Sequence, residues 1–222
     1  MKILAVADYE EKCLWGKWST EMEARLSDVD LVLSAGDLSS YYLEFLTEKL
    51  NIPLVYVPGN HDTGYIENPP KQCINADGKI IDMRLNGDND VQTVRIMGLG
   101  GSMRYKDCPY QYSEDEQQRR VTKLLHAIDT NEVVNMADVN VFLTHAPCKG
   151  YGDIDDPVHR GFNCFNELLD KWKPQLHCYG HVHEEYNSFG GQNSNTTGFI
   201  RLINHPSGTH LVNCYGYQFI VI

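Results

Sequence analysis

Carboxylate, amide and imidazole side chains follow short apolar runs at five places in this 222-residue sequence. They are Asp8 with Glu10, Asp37, the tripeptide Asn60-His61-Asp62, His145, and His181 with His183. Oxygen and imidazole ligands, without cysteine, favour divalent metals such as Mn, Fe, Zn, Co or Ni. These residues offer more ligands than one ion needs, and two-metal sites hold their ions about 3.5–4 Å apart. The pattern therefore predicts a divalent-metal site with ligands enough for two ions.

The spacing gives two of these groups a geometric meaning. In an extended segment, residues two apart point to the same side, so Asp8 and Glu10 can act as a pair, as can His181 and His183. Each group alone also has an ordinary structural explanation, because Gly-Asp dipeptides form turns and Asn or Asp side chains cap backbone groups. Five groups in order, each after an apolar run, favour a shared site.

Apolar patterning predicts the elements that position these groups. Residues 3–7, 31–34 and 54–57 are continuous apolar runs, typical of strands buried on both faces. A helix is predicted over residues 41–50, and the alternation indicates βαβ units in a largely parallel sheet. Residues 80–85 and 91–97 flank Asn86-Gly87 and predict a hairpin.

The second half of the chain continues the pattern. Ser113 and Glu116 fit a capping box, and helical spacing of apolar residues over 121–128 predicts an amphipathic helix. Strands are predicted over 139–144 and 177–179, a helix over 162–172, and closing antiparallel strands after residue 199. The fold class is mixed α and β, and the five polar groups fall at strand ends, where open α/β sheets place their ligands.

Composition indicates one globular domain over residues 1–222, with 42% hydrophobic and 22% charged residues. The longest apolar runs are far shorter than the roughly 18 residues that a membrane helix needs, so no membrane association is expected. Seven cysteines without CxxC spacing, and an N-terminal apolar run that ends at Asp8 and is too short and too acidic for a signal peptide, predict a cytoplasmic protein. The net charge of −11 argues against a broad nucleic-acid-binding surface.

The five groups, taken with their neighbours, resemble the motif blocks of the calcineurin-like metallophosphoesterase superfamily, in particular its small bacterial-type members. The matching blocks are Asp8-Tyr9-Glu10, Gly36-Asp37, Gly59-Asn60-His61-Asp62, Thr144-His145 and Gly180-His181-Val182-His183. The resemblance implies a four-layer αββα sandwich, in which two mixed sheets are flanked by helices. It also implies a dinuclear metal centre at one end of the sheets.

The resemblance further implies a role for each matching residue. Asp37 would bridge two ions, Asp8 and His183 would bind the first, and Asn60, His145 and His181 would bind the second. His61 would act as general acid, and Asp62 would orient its ring. One position departs from the family, because the third residue of the first block is usually His and here is Glu10. We expect the Glu10 carboxylate to bind the first metal or to contact its ligands; the alternative is a solvent-exposed side chain.

The expected activity is hydrolysis of a small phosphodiester or phosphomonoester by a hydroxide that bridges the two metals. A phosphoprotein phosphatase is one alternative, and a non-catalytic metal-binding interaction module on the same fold is another, for which Glu10 is the best argument. Arg104 and Tyr105 could line a substrate pocket or belong to an ordinary polar loop. The acidic stretch that ends at His159 is interpreted as a solvated loop, or as a border of the site. The oligomeric state stays open.

Overall fold

Helices and strands alternate through the first half of the chain, and strands dominate its end. The computed structural model describes residues 1–86, 91–130, 137, 139–183 and 202–222. The helices are α1 (Thr20–Leu26), α2 (Ser40–Leu50), α3 (Glu114–Asp129) and α4 (Asn163–Trp172), with a 3-10 helix at Asp62–Ile66. The strands are β1 (Lys2–Ala7), β2 (Leu31–Ser34), β3 (Leu54–Tyr56), β4 (Ile74–Asn75), β5 (Lys79–Asn86), β6 (Val91–Leu99), β7 (Ser102–Met103), β8 (Gln111–Tyr112), β9 (Val139–Thr144), β10 (Leu176–Tyr179), β11 (Leu202–Asn204), β12 (His210–Asn213) and β13 (Gly216–Val221).

Two large mixed sheets form the centre of the molecule. The first has the order β13-β1-β2-β3-β4 and the second β11-β12-β10-β9-β6-β5. Strands β1 to β4 pair in parallel, as the βαβ pattern predicts, whereas β13 joins β1 antiparallel. In the second sheet β6, β9, β10 and β12 are parallel neighbours, and β5 and β11 close the two edges antiparallel.

Burial divides the fold into four layers. One apolar cluster lies between the sheets and joins Ile3 and Leu33 of the first sheet to Val141 of the second. A second cluster packs α1 and α2 on the outer face of the first sheet, and a third packs α3 and α4 on the outer face of the second. Complete burial of each such aliphatic side chain contributes about 1.5–3 kcal/mol. The predicted αββα sandwich is confirmed.

Local signals explain several elements. The predicted capping box begins α3, where the Ser113 amide donates to Glu116 Oε2 at 2.7 Å and the Glu116 amide donates to Ser113 Oγ at 3.2 Å. The predicted hairpin is present as the antiparallel pair β5 and β6. Its turn at residues 87–90 lies outside the described residues.

The closing strands differ from the expectation in one respect. Strands β11 and β13 are antiparallel to their neighbours, but β12 runs parallel to β10. The turn after β11, in which the Gly208 amide donates to the His205 carbonyl at 2.9 Å, reverses the chain and returns it along β10. The expected antiparallel pairing is therefore present between β11 and β12 and between β13 and β1, and β12 departs from it by also pairing in parallel with β10. Across the described ranges, no helix is long and apolar enough to cross a membrane.

Candidate metal centre

The carboxyl ends of five parallel strands meet at one edge of the two sheets. Asp8 directly follows β1, and Asp37 and Asn60 follow β2 and β3 within a few residues. His145 directly follows β9, and His181 follows β10. Parallel strands bring their carboxyl ends to a common edge, so the sequence-predicted groups lie together there.

Asp37, His145 and His181 form the centre of this cluster. One ligand atom from each lies within 4.8 Å of the others. The His145 side chain is fully buried and that of Asp37 is 8% exposed, with Asp37 Oδ2 3.4 Å from His145 Nε2. A carboxylate and two imidazoles in a small buried space match the ligand preferences of a borderline divalent metal.

The backbone fixes the tautomer of His145. Its Nδ1 donates to the Ala35 carbonyl at 2.7 Å, so the lone pair of the neutral ring is on Nε2. That atom faces Asn60 Oδ1 at 2.9 Å as well as the Asp37 carboxylate. Three electron-pair donors directed at one point need a cation between them, which a proton or a metal ion can supply. The residues present therefore fit a metal ion.

Neighbouring charges and burial shift the pKa values of Asp37 and His145 in opposite directions. Burial raises the pKa of Asp37, but the charge and hydrogen bond of the adjacent His145, together with the amide and charge of His61, lower the pKa to about 2. Burial lowers the pKa of His145, but the charge and hydrogen bond of Asp37, together with the Asp8 charge and the Ala35 carbonyl, raise the pKa to about 9. In the metal-free state near neutral pH, His145 is accordingly protonated and Asp37 is ionised. A metal ion that binds His145 would therefore have to displace a proton from the ring.

His181 is oriented by a separate loop. Its Nε2 donates to the Val158 carbonyl at 2.7 Å, which leaves Nδ1 as the nitrogen with the lone pair. Burial, and then the charge of His145, lower the pKa of His181 to about 3. A neutral imidazole with a fixed tautomer is the form that binds metals.

Asp8 and His183 form a second group beside the first. Asp8 Oδ1 lies 3.3 Å from His183 Nε2, and Asp8 Oδ2 accepts the His181 amide at 2.9 Å. The hydrogen bond that His183 donates to the Asp8 carboxylate raises the pKa of His183, and the Asp37 charge adds to this effect. Asp37 therefore acts electrostatically on both His145 and His183. A Cβ at Gly180 would clash with Asp8 Oδ2, so glycine is required for this close approach.

Asp62 does not make the contact with the His61 ring that the family resemblance implied. Its Oδ2 accepts the amides of Gly59 at 2.7 Å and Asp37 at 2.8 Å. Among the residues that the structure describes, the carboxylate therefore holds two strand-end loops together and does not bond the His61 ring. Burial and the Asp37 charge raise the pKa of Asp62 to about 7, against the lowering effect of the two amides.

His61 stands at the rim of the cluster. Its backbone amide donates to Asp37 Oδ1 at 2.8 Å, which fixes the start of the 3-10 helix beside the centre. The residue is exposed, unlike the buried His145 and His181. An exposed imidazole next to this buried group of candidate metal ligands is suitably placed to meet an incoming molecule.

Glu10 lies differently from the geometric expectation. Its Oε1 accepts the Ser39 amide at 2.8 Å and its Oε2 accepts Trp15 Nε1 at 3.2 Å. Ser39 is the N-cap of α2, so the carboxylate also sits where the helix dipole favours negative charge. Both oxygens are used by protein donors, and the structure does not bring Glu10 into the cluster of Asp37, His145 and His181.

The two residues predicted to bind substrate, Arg104 and Tyr105, make contacts in different parts of the structure. The Tyr105 hydroxyl accepts a hydrogen bond from Asn60 Nδ2 at 3.2 Å and so orients the amide whose oxygen faces His145. The Arg104 guanidinium is instead bound to the Gln111 carbonyl and to Glu116 Oε2, at 3.2 and 2.8 Å. Tyr105 therefore borders the centre, whereas Arg104 supports its own loop and the start of α3.

Several groups of the site are backbone atoms that the sequence motifs did not reveal. The carbonyls of Ala35 and Val158 set the tautomers of two histidines, and the amides of Gly59 and Asp37 hold Asp62. The His159 side chain also reaches the centre, with its ring centroid 5.3 Å from that of His181. Its position between two motif blocks was the one sequence signal for it.

Comparison with known proteins identifies the class to which this fold and site belong. The calcineurin-like phosphoesterase profile matches residues 1–185, and the chain belongs to that family. None of the curated proteins gave a match to this chain.

Solved structures share the fold at low sequence identity. The protein TT1561 of Thermus thermophilus is 14% identical, with a TM-score of 0.56 over 96% of this chain and 88% of that one. A phosphatase from Mycoplasma pneumoniae is 13% identical, with a TM-score of 0.50 over 97% of this chain and 72% of that one. GAP50, the anchor in the inner membrane complex of Plasmodium, is 11% identical, with a TM-score of 0.53 over 97% and 71%. At these identities the likeness concerns the fold alone.

Proposed function

We propose that this chain is a metal-dependent phosphoesterase that hydrolyses a small phosphomonoester or phosphodiester. The observation that carries the proposal is the convergence of Asp37, His145 and His181 within 4.8 Å, with one ring nitrogen of each histidine bonded to a backbone carbonyl and the other left for a metal. Family membership supports the same class of reaction.

We assign the ligands to two groups. Asn60, His145 and His181 would hold one ion and Asp8 with His183 the other, with Asp37 shared between them. The electrostatic influence of Asp37 on both His145 and His183 supports the shared position. Bound divalent ions would lower the pKa of a coordinated water and neutralise charge on the phosphoryl oxygens.

The chain's own residues would supply the remaining steps. The exposed His61 would donate a proton to the leaving oxygen, a contribution typically worth about 10²- to 10⁴-fold. Asp62 would keep the loops of Asp37 and Gly59 together, so that the His61 amide stays on Asp37. Tyr105 would hold the Asn60 amide with its oxygen towards the ion.

A panel assay tests the proposal. Chelated, metal-free protein is supplied in turn with Mn, Fe, Zn, Co or Ni and assayed on phosphomonoesters, cyclic nucleotides, other phosphodiesters and a phosphopeptide. We expect turnover of small esters with at least one metal and none after renewed chelation. Full activity in excess chelator, with metal-free protein confirmed by mass spectrometry, would contradict the metal-dependent reaction.

A non-catalytic metal-binding module on the same fold is the second candidate. The observation that favours it is the position of Glu10 on Ser39 and Trp15, which leaves the group of Asp8 and His183 with one side chain fewer. Metal binding without turnover of any ester in the panel would support this candidate over the first.

A further inference from the structure

Two aspartates accept hydrogen bonds from backbone amides of the loop between β9 and α4. Asp153 accepts the amides of Gly150 at 2.7 Å and Gly161 at 3.1 Å, which ties the ends of the loop together. Asp156 Oδ1 accepts the amides of Val158 at 2.7 Å and His159 at 2.8 Å. The peptide that carries the Val158 carbonyl is therefore fixed on its amide side by Asp156.

This peptide contacts the metal centre directly. The Val158 carbonyl accepts the Nε2 proton of His181 at 2.7 Å, and the His181 residue is 3% exposed. A hydrogen bond to one ring nitrogen determines which nitrogen can bind a metal. The loop thus selects Nδ1 of His181 as the ligand atom.

His159 adds a second contact from the same turn. Its Nδ1 lies 2.8 Å from Asp156 Oδ2, and its side chain is 12% exposed. The ring centroid is 5.3 Å from that of His181 and 6.3 Å from that of His183. One imidazole, held by Asp156, therefore packs against a residue of each proposed ligand group.

We propose that Asp156 and His159 are positioning residues of the metal centre. Asp156 fixes the turn that directs the Val158 carbonyl at His181, and His159 limits the rotation of the His181 and His183 rings. The inference rests on the proposed metal site but does not require the phosphoesterase reaction. Partners that orient metal-binding histidines typically contribute roughly 10- to 100-fold to metal affinity.

The test compares Asp156→Ala, Asp156→Asn and His159→Ala with the matched control Asp155→Ala. Asp155 is the neighbouring residue, its side chain is 93% exposed, and it contacts Arg160 at 3.3 Å. Metal affinity is measured by calorimetric titration of Mn²⁺ and Zn²⁺ into the full chain. The tautomer of His181 is determined from imidazole ¹⁵N NMR of the metal-free protein, and folding is checked by circular dichroism.

We expect Asp156→Ala to weaken metal binding roughly tenfold or more, and to lose the single Nε2-protonated form of His181. Asp156→Asn keeps an oxygen for the two amides, so it should restore most of the affinity and the tautomer. His159→Ala leaves those amide bonds intact and should weaken binding while retaining the tautomer. If Asp156→Ala fails to fold, the metal affinity of His159→Ala still tests whether this loop positions the metal ligands.

Two results would overturn the inference. One is an affinity and a His181 tautomer in Asp156→Ala equal to those of the parent, or, if that variant does not fold, a parental affinity in His159→Ala. The other is an equal loss in Asp155→Ala. Failure of the proposed function looks different, because a parent protein that binds metal but turns over no ester leaves both measurements of this test intact. A parent that binds no metal leaves the tautomer measurement to decide the role of Asp156.

Discussion

Replacing Glu10 by glutamine tests whether this residue is a metal ligand or instead joins two segments of the chain by hydrogen bonds. The carboxylate accepts from Ser39 N at 2.8 Å and Trp15 Nε1 at 3.2 Å, and glutamine offers one acceptor oxygen in place of two. A hydrogen bond to a charged acceptor contributes about 1.5–3 kcal/mol, and Glu10 is half-buried. We expect the free energy of unfolding to fall by about 2 kcal/mol, equivalent to roughly 4–8 °C in melting temperature for a domain of this size.

Metal titration decides between the two roles. If Glu10 only joins Trp15 to the start of α2, the metal affinity of Glu10→Gln should change by less than about tenfold. That is below the effect of losing a residue that orients a metal ligand. The melting temperature is measured with and without metal, and affinity by calorimetry with Mn²⁺. The expected pattern is a large loss of stability with a small loss of affinity.

Trp15→Phe is the matched control. It removes the same indole hydrogen bond, keeps an aromatic ring against Tyr42 and Phe45, and adds or removes no metal ligand. Both variants should lose comparable stability. If Glu10→Gln loses metal affinity about a hundredfold while Trp15→Phe binds normally, Glu10 is a ligand after all and the reasoning from its two hydrogen bonds is refuted.

Four further perturbations probe the site and the core. His61→Ala should lower turnover about 10²- to 10⁴-fold with metal content unchanged by mass spectrometry, and a parental rate on an ester with a poor leaving group would remove the general-acid role. Asp37→Ala should weaken binding of both ions, and normal calorimetric binding of two ions would contradict a shared ligand. Because the pKa of His145 is raised to about 9, metal binding at pH 7 should release the His145 proton, and metal affinity should rise about tenfold per pH unit below pH 9. Calorimetry in buffers of different ionisation enthalpy measures this proton release. Metal binding without proton release would refute the assignment. Burial lowers the pKa of His177 from 6.5 to about 3, so between these values the unfolded chain binds one proton more than the folded chain. The free energy of unfolding should therefore drop by roughly 1 kcal/mol per pH unit as the pH falls. His177→Phe should flatten the pH dependence of urea unfolding between pH 7 and 5, and an unchanged slope would contradict this role of His177.

The sequence was informative where burial alone decides the structure. Strand β1 lies between two apolar layers, so its residues 3–7 form a continuous apolar run. The ends of such runs located the polar groups. Short elements escaped prediction because two residues in β4, β7 or β8, or seven in α1, carry too little periodicity. The direction of β12 escaped because it depends on how the chain returns to β10, which no local pattern records.

Within the site, sequence reasoning failed where the backbone leaves the extended conformation. The rule that residues two apart share a side requires an extended chain, but Asp8 has a φ of 62°. The chain turns there, and Glu10 is carried to the start of α2. The roles of Ala35 and Val158 could not be predicted either, since a backbone carbonyl is present at every residue.

The left-handed backbone of the centre has a consequence for engineering. Asp8, Asp37 and His181 have φ values of 62°, 57° and 69°, a conformation that typically costs a residue with a side chain about 1–2 kcal/mol. Asparagine or glycine relieves part of that strain, whereas at position 37 either one also removes the charge that pairs with His145. A library of this protein screened for heat resistance alone would therefore enrich such replacements at Asp8 and His181 and gradually discard these proposed metal ligands. Selection that keeps metal capture in the screen would retain them.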